Sequence, residues 1–396
     1  MKLFLKWKTY FLSLFFVGGI WLLLQGAAPK PAPDIAAVSP QQQGILDEVK
    51  LFARAVSAVG EAFVNDVPPR ELLYNAVSGM LSGLGDRYTE FIEPKRFNLL
   101  QIQLRGEYAG IGAMLEIRDE FPFIKGVRPD SAAQKSGILA GDKILRINQV
   151  STKGLPLTEI GPLLRGDLGT SLVLTIERID GRVFDVEVVR EMVEIEAVKD
   201  PRMIGKAVGY FWLQTWQEKT VDQAVQAISH LQSQGMQALI IDVRNNDGGL
   251  LPMAVELATK FLPEGKTIVS VSSKLKEQRK DYHSEGGVHP YEYLKVIILV
   301  NAKSASASEV FSASMQDNGR AILVGEQTFG KASVQSLVPL DEFSAMKMTT
   351  ARYKSPTGRV IDHVGITPDF VVPSQTDGQG PDRQVLKAIE ILREYM

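Results

Sequence analysis

The chain has 396 residues, with 44 Lys and Arg against 46 Asp and Glu and a formal net charge of −2. That length accommodates two or three domains at roughly 100–200 residues each, and the charge balance gives no sign of the clustered basic face that nucleic-acid binding needs. There is no cysteine, which excludes disulfides, thiolate zinc sites, a cysteine nucleophile and a lipid-modified N-terminal cysteine; none of the four histidines, His230, His283, His289 and His363, stands at a metal-ligand spacing such as HExxH.

The chain opens with Lys2, Lys6 and Lys8, an uncharged apolar run from Tyr10 to Leu24, and Gln25-Gly26-Ala27-Ala28. This order reads as an export segment. Gly26 and Ala28 permit a cut after Ala28, but Pro29 would follow the cut and disfavours it. The uncharged stretch Thr9 to Ala28 has 20 residues, close to the roughly 20 needed to cross a bilayer. The lysines precede it, so the rest of the chain is expected outside the cytoplasmic membrane. The reading favours an uncleaved anchor over a removed signal.

Pro29 to Pro40 is rich in Pro and Ala and reads as a linker. Ile45, Val49, Phe52, Val56, Val59 and Phe63, then Leu72, Leu73, Ala76, Val77, Met80 and Leu81, recur at helical spacing. Asp66 to Pro69 interrupts them, so two helices are expected. From Gly106 the period shortens. Apolar runs at Ile111–Ile117, Phe123–Val127, Lys143–Ile147, Ser171–Glu177 and Val183–Val189 are separated by turn residues, with short helices at Ser131–Ser136 and Leu157–Leu164. From Ala207 strands alternate with helices: Val208–Phe211, Thr220–Gln234, Ala238–Asp242, Pro252–Phe261, Val296–Val300, Ala305–Met315 and Ala321–Gly325. Such alternation implies parallel βαβ units. Asp382 to Tyr395 reads as a last amphipathic helix.

Chemistry is sought at the carboxyl ends of the strands, where ligands sit in such sheets. Asp242-Val243-Arg244-Asn245-Asn246-Asp247-Gly248-Gly249 follows one strand. Its glycines allow a sharp turn and a backbone whose N–H groups face an anion, although an ordinary strand-to-helix turn accounts for the spacing as well. Ser304-Ala305-Ser306-Ala307-Ser308-Glu309 follows another strand and opens a helix. A hydroxyl there gains the positive field of the helix N-terminus; the bland reading makes such serines caps, Ser304 first among them. Gly330 before Lys331 would aim a lysine inward. Burial lowers a lysine's pKa, and a neutral amine serves as the base in Ser-Lys variants of the triad; a surface lysine is the alternative.

The ordered set Ser304–Glu309 (SASASE), Thr328–Lys331 (TFGK) and Val334-Gln335 closely resembles the carboxyl-terminal processing protease family. Asp242–Gly249 is similar to that family's R-x-N-x-G-G loop. Tyr353–Ile361 and Gly365–Phe370 resemble its C-terminal signatures, and Tyr108–Gly112 (YAGIG), Pro129–Ala133, Gly137–Ile144 and Leu164–Gly169 its PDZ domain. The chain departs from the family pattern at Ala332, where glycine is usual, at Asp247, where proline is usual, and at Gly85-Asp86-Arg87, where L-D-P is usual.

The resemblance implies a multidomain α+β protein, with an α/β protease core, an inserted mostly-β PDZ domain and an N-terminal helical region. The expected boundaries are 1–33 for anchor and linker, 34–97 for the helical region, 98–192 for the PDZ domain, 193–376 for the protease core and 377–396 for a C-terminal helix. It implies Ser306 as nucleophile, Lys331 as base 25 residues later, and Gln335 orienting the lysine amine. The oxyanion would be held by the N–H of Ala307 and of Gly248 or Gly249. Tyr108, Ala109, Gly110, Ile111 and Gly112 would hold a substrate's terminal carboxylate, and Arg165 would couple the PDZ domain to the active site. Substrates would be proteins with apolar C-terminal tails, and no metal or cofactor is required. The family also admits an activator or adaptor protein and a homo-oligomer. A membrane-tethered PDZ scaffold without activity is the main rival, weakened by the intact serine, lysine and glutamine; an α/β esterase is weakened by the lack of a G-x-S-x-G elbow.

Overall fold

The protein, a computed structural model, is described over residues 40–286, 289–374 and 381–395. The expected export segment lies outside the described residues, and among them no helix is long and apolar enough to cross a membrane. The described residues form two compact units, one comprising those up to Phe97 with Gln335–Thr349, the other those of Asn98–Val334 and from Thr350 onward.

In the first unit the two expected helices are Pro40–Ala62 and Pro69–Ser82. Pro68 and Pro69 start the second helix because a proline at the first turn removes only an amide that has no helical partner. Leu81 and Phe91 are buried, and the Tyr74 and Phe91 rings lie 4.8 Å apart. The strand Glu90–Ile92 pairs antiparallel with residues 345–347.

The second unit contains two sheets of six strands that matter for the site. In the first, Ala113–Arg118, Phe121–Val127, Lys143–Ile147, Ser171–Glu177 and Val183–Val189 follow one another in space, and Val150–Ser151 adds to Lys143–Ile147. The alternation read from the sequence puts Ile124, Ile144, Ile147, Leu172, Leu174, Ile176 and Val188 on the inner face, closed by Ile160 and Leu164 of the helix Leu157–Leu164. Asp142, nearly inaccessible, is paired with Arg178 at 2.9 Å and accepts the Leu139 N–H, so the buried charge is matched. Ala113–Arg118 stands at the edge of this sheet, beside Leu157–Leu164. A two-stranded ribbon, Glu107–Gly110 with Glu191–Glu194, brackets the sheet in the chain.

The second sheet runs Val198–Ile204, Val208–Leu213, Ala238–Asp242, Lys295–Val300, Ile322–Gly325, Phe370–Val371. Every pair is parallel except the first. A parallel sheet is buried on both faces, which is why its strands are continuous apolar runs. Phe211, Leu213, Leu239, Ile241, Ile298, Val300 and Leu323 meet the helices Thr220–Ser233, Leu251–Phe261 and Ala307–Asp317 on one side. Tyr210, Ile240, Ile297, Leu299 and Val324 meet Ala388, Ile391 and Leu392 of the helix Arg383–Tyr395 on the other.

Gly325 ends its strand opposite Val300, the last strand residue before the serine-rich loop. Its φ is +140°, and a Cβ there would sit 1.9 Å from the Val300 carbonyl oxygen. Gly137 has φ +75° with open space around it. Gly325→Ala should therefore cost clearly more stability than Gly137→Ala, for which about 1–2 kcal/mol of left-handed backbone strain is expected. Urea unfolding of the two variants checks this, and equal losses would show that the strand end gives way without cost.

Candidate active site

The two loops singled out in the sequence leave adjacent parallel strands, Ala238–Asp242 and Lys295–Val300, and are stitched together. Asn246, fully buried, is the centre of the seam. Its carbonyl accepts the Ala305 N–H and the Ser308 hydroxyl, both at 3.0 Å, and its side-chain amide donates to the Leu213 carbonyl at 2.8 Å. Asn245 and Asn301 bond reciprocally, with the Asn245 N–H donating to Asn301 Oδ1 at 3.0 Å and Asn301 Nδ2 to Asn245 Oδ1 at 3.1 Å.

The three serines of the SASASE motif differ in what they touch. Ser304 is buried, and its hydroxyl donates to the Val243 carbonyl at 2.8 Å. Ser308 is buried too; besides its bond to Asn246 it accepts the Trp216 indole N–H at 2.9 Å. Ser306 alone of the three is partly exposed. Ser304 is therefore not the helix cap that its position suggested. The helix begins at Ala307, not Ala305, because Ser306 takes φ +55° and ψ −117° and stands at the cap position itself. A non-glycine residue in that region costs of order 1–3 kcal/mol unless its surroundings hold it.

What holds it is Glu309, a fully buried carboxylate one turn into the helix. Glu309 Oε2 accepts the Ser306 N–H at 2.9 Å and the Lys331 N–H at 2.8 Å. Oε1 accepts the Gly330 N–H at 2.7 Å and the Thr328 hydroxyl at 2.6 Å. A single carboxylate oxygen thus separates the backbone of Ser306 from that of Lys331. Their carbonyls are bridged as well: the Tyr353 hydroxyl is shared between the Ser306 oxygen, at 3.0 Å, and the Lys331 oxygen. Burial pushes the Glu309 carboxyl above its ordinary value, and its four donors pull it back only in part.

The glycine loop completes one side. A Cβ on Gly248 would lie 2.7 Å from Ser306 Cβ and 3.1 Å from the Ala307 nitrogen, so only glycine leaves room at that N–H. Ala307 N–H is the first of the helix and has no partner within it. The Gly248 N–H donates to Asn246 Oδ1 at 3.0 Å. Gly249, at φ +144°, packs instead against Trp216, whose carbonyl oxygen a Cβ would meet at 2.1 Å.

The other expected residues lie on elements of their own. Gln335 lies in the extended strand Ser333–Pro339 and donates to Thr349 Oγ1 at 3.3 Å within the first unit. Tyr108, Ala109 and Gly110 are in the ribbon, followed by Ile111, whose carbonyl accepts the Ala133 N–H at 2.8 Å. Gly112, at φ +75°, is packed against Ser131. Arg165 ends the helix Leu157–Leu164, and its guanidinium lies 4.9 Å from the centre of the Tyr108 ring. Glu309 and Tyr353 sit inside motifs noted in the sequence, but neither was given a role there. A carboxylate among small residues at a helix start was the available signal.

Comparison with known proteins matches residues 207–372 to peptidase family S41 and residues 123–178 to the PDZ domain. The chain is similar to a carboxyl-terminal-processing protease of Picosynechococcus sp., 30% identical over 391 residues that cover 91% of this chain and 93% of that one. It is also similar to a carboxy-terminal-processing protease of Bartonella bacilliformis, 33% identical over 366 residues, 91% of this chain and 82% of the other. Among solved structures it is similar to a photosystem II D1 C-terminal processing protease, 28% identical, with a TM-score of 0.46 over 82% of this chain and 93% of that chain.

A folded value above the ordinary 4.5 gives Glu309 a definite sign. Its contribution to stability is whole below the unfolded value and is lost as pH rises through the folded one. Glu309→Gln removes that titration. The melting temperature of the wild type should therefore fall relative to the variant as pH rises from 4 into the neutral range. A wild type that gains on the variant over this range would mean that the four donors outweigh burial.

Proposed function

Because the chain belongs to the carboxyl-terminal processing proteases of peptidase family S41, which are serine-type peptidases, and carries a PDZ domain, we propose that it captures proteins by an apolar C-terminal tail and cleaves them with a Ser306–Lys331 dyad. The observation that carries this reading is the shared carboxylate: the amides of Ser306 and Lys331 converge on Glu309 Oε2.

In this mechanism Ser306 Oγ attacks the carbonyl carbon of the scissile bond while neutral Lys331 Nζ takes its proton. The oxyanion is received by the Ala307 N–H and a glycine N–H of the 248–249 pair, each donor worth about 3–4 kcal/mol in such sites. Gly248 is the glycine packed against Ser306, so its use as a donor requires the bond to Asn246 to be exchanged for the oxyanion. Collapse of the intermediate breaks the C–N bond, and Lys331 gives its proton to the leaving amine. Water, deprotonated by Lys331, then attacks the ester on Ser306, and Lys331 returns the proton to Ser306 Oγ as the acid product leaves. The resemblance alone assigns Gln335 the orienting of the lysine amine.

The tail adds as a strand to the free edge of Ala113–Arg118 beside the helix Leu157–Leu164, a recurrent mode of peptide capture. Tyr108–Gly112, which leads into that strand, receives the terminal carboxylate. Arg165, whose guanidinium lies over the Tyr108 ring, registers an occupied groove and couples it to cleavage. The order of lysines, apolar run and linker at the chain start supports work outside the cytoplasmic membrane, with the N-terminal segment as anchor.

Ser306→Ala should abolish cleavage of a protein bearing an apolar C-terminal tail while leaving the melting temperature within a few degrees of the wild type. Lys331→Arg should be as inactive as Lys331→Ala, because arginine keeps its charge at any working pH and cannot accept the serine proton. Gel-based cleavage assays with purified variants check both. Cleavage by Ser306→Ala would move the nucleophile elsewhere, and an active Lys331→Arg would leave the lysine only an electrostatic role.

A further inference from the structure

The helix Arg383–Tyr395 is docked on the central sheet by Ala388, Ile391 and Leu392. Its first turn has another engagement. Arg244, in the glycine loop, is largely buried and holds Asp242 through Nε at 2.9 Å and through Nη2 at 2.6 Å. The remaining donors of the guanidinium face the helix start. Nη1 donates to Gln384 Oε1 at 2.8 Å, and Nη2 pairs with Asp382 at 2.8 Å. Gln384 is 1% exposed, and its Nε2 donates to the Val372 carbonyl at 2.7 Å, so both ends of its amide are used. Asp382 has two tasks: Oδ1 accepts the N–H groups of Gln384 and Val385, capping the helix, while Oδ2 faces Arg244.

Arg244 is also where the loop turns towards the site. Its carbonyl accepts the Trp212 indole N–H at 3.0 Å. The next residue, Asn245, takes φ +59°, and the chain then passes through Asn246 to Gly248, against Ser306. The apolar face of the helix packs on the sheet through Ala388, Ile391 and Leu392. The polar contacts at its start are directed at the loop, and two of them satisfy a guanidinium that would otherwise be buried with unmet donors.

We propose that Asp382 and Gln384 are positioning residues for catalysis: they fix Arg244 and, through it, the glycine loop beside Ser306, so that the C-terminal helix is a working part of the site. This rests on the Ser306–Lys331 reading. Planar guanidinium recognition by two groups from a segment 140 residues away sets the loop height to within the tolerance an oxyanion donor needs.

The test uses the full chain and three variants. Gln384→Met keeps the volume and loses the acceptor. Gln384→Glu keeps an acceptor oxygen for Arg244 and loses the donor to Val372 as the Met variant does. Asp382→Ser keeps a capping oxygen and loses the charge. With rates expressed per active site titrated by a fluorophosphonate, Gln384→Met and Asp382→Ser should lower kcat about tenfold, the effect of ~1.4 kcal/mol in the transition state, with KM within twofold. Gln384→Glu should restore most of the loss. If Met and Glu variants fall together, along with their melting temperatures, the residue is merely structural and the proposal is wrong. Wild-type kcat in Gln384→Met, measured beside an inactive Ser306→Ala, overturns the positioning role alone. An active Ser306→Ala overturns the dyad reading, and this inference with it.

Discussion

The site depends on one carboxylate with no access to solvent. Glu309 gathers the N–H groups of Ser306, Gly330 and Lys331 and the hydroxyl of Thr328. The donors of Gly330 and Thr328 are buried and those of Ser306 and Lys331 partly so, and an unmet buried donor costs about 1–3 kcal/mol. The arrangement is therefore strongly cooperative. Removing the carboxylate would orphan four groups at once and release the left-handed backbone at Ser306. Keeping it means holding a charge in an apolar surrounding, which is why its proton affinity is raised. This is a stability cost accepted at the point where two loops from distant parts of the sequence must meet.

Around that point the polar groups divide into those that build and one that is left to act. Ser304 and Ser308 tie the serine loop to Val243 and Asn246. Asn246 carries the bond from Gly248 and so sets the state of the glycine loop. Tyr353 closes the other side by reaching the carbonyls of Ser306 and Lys331. The assembly sits at the carboxyl ends of parallel strands, where ligands bind in such sheets. In the proposed mechanism the same geometry gives Ser306 a partly exposed position at a helix N-terminus, with glycine at 248 keeping the Ala307 N–H clear.

Much of this was legible in the sequence, and the boundary has physical reasons. Continuous apolar runs identified Ala238–Asp242 and Lys295–Val300 because a parallel sheet is buried on both faces. Alternation identified Ser171–Glu177 because its sheet has one wet face. Thr267–Ser273 and Ala345–Lys354 carry weaker patterns, with serines, threonines and lysines on exposed faces, and were not read as strands. Ser304 was read as a cap from position alone; its hydroxyl is instead used for a tertiary bond to Val243, which nothing local reveals. Arg244 with Gln384, and Glu309 with Lys331, are contacts across 140 and 22 residues. Motifs mark such residues, but only the fold says what they touch.

The proposed mechanism requires Ser306 to be the nucleophile of this assembly. The most direct measurement is peptide mapping by mass spectrometry after treating the folded chain with a fluorophosphonate. The account predicts one adduct per chain, on the peptide containing Ser306 and on that residue, and none when Lys331 is alanine. An adduct on Ser304, Ser308 or a serine outside this loop, or labelling that is unchanged without Lys331, would contradict it.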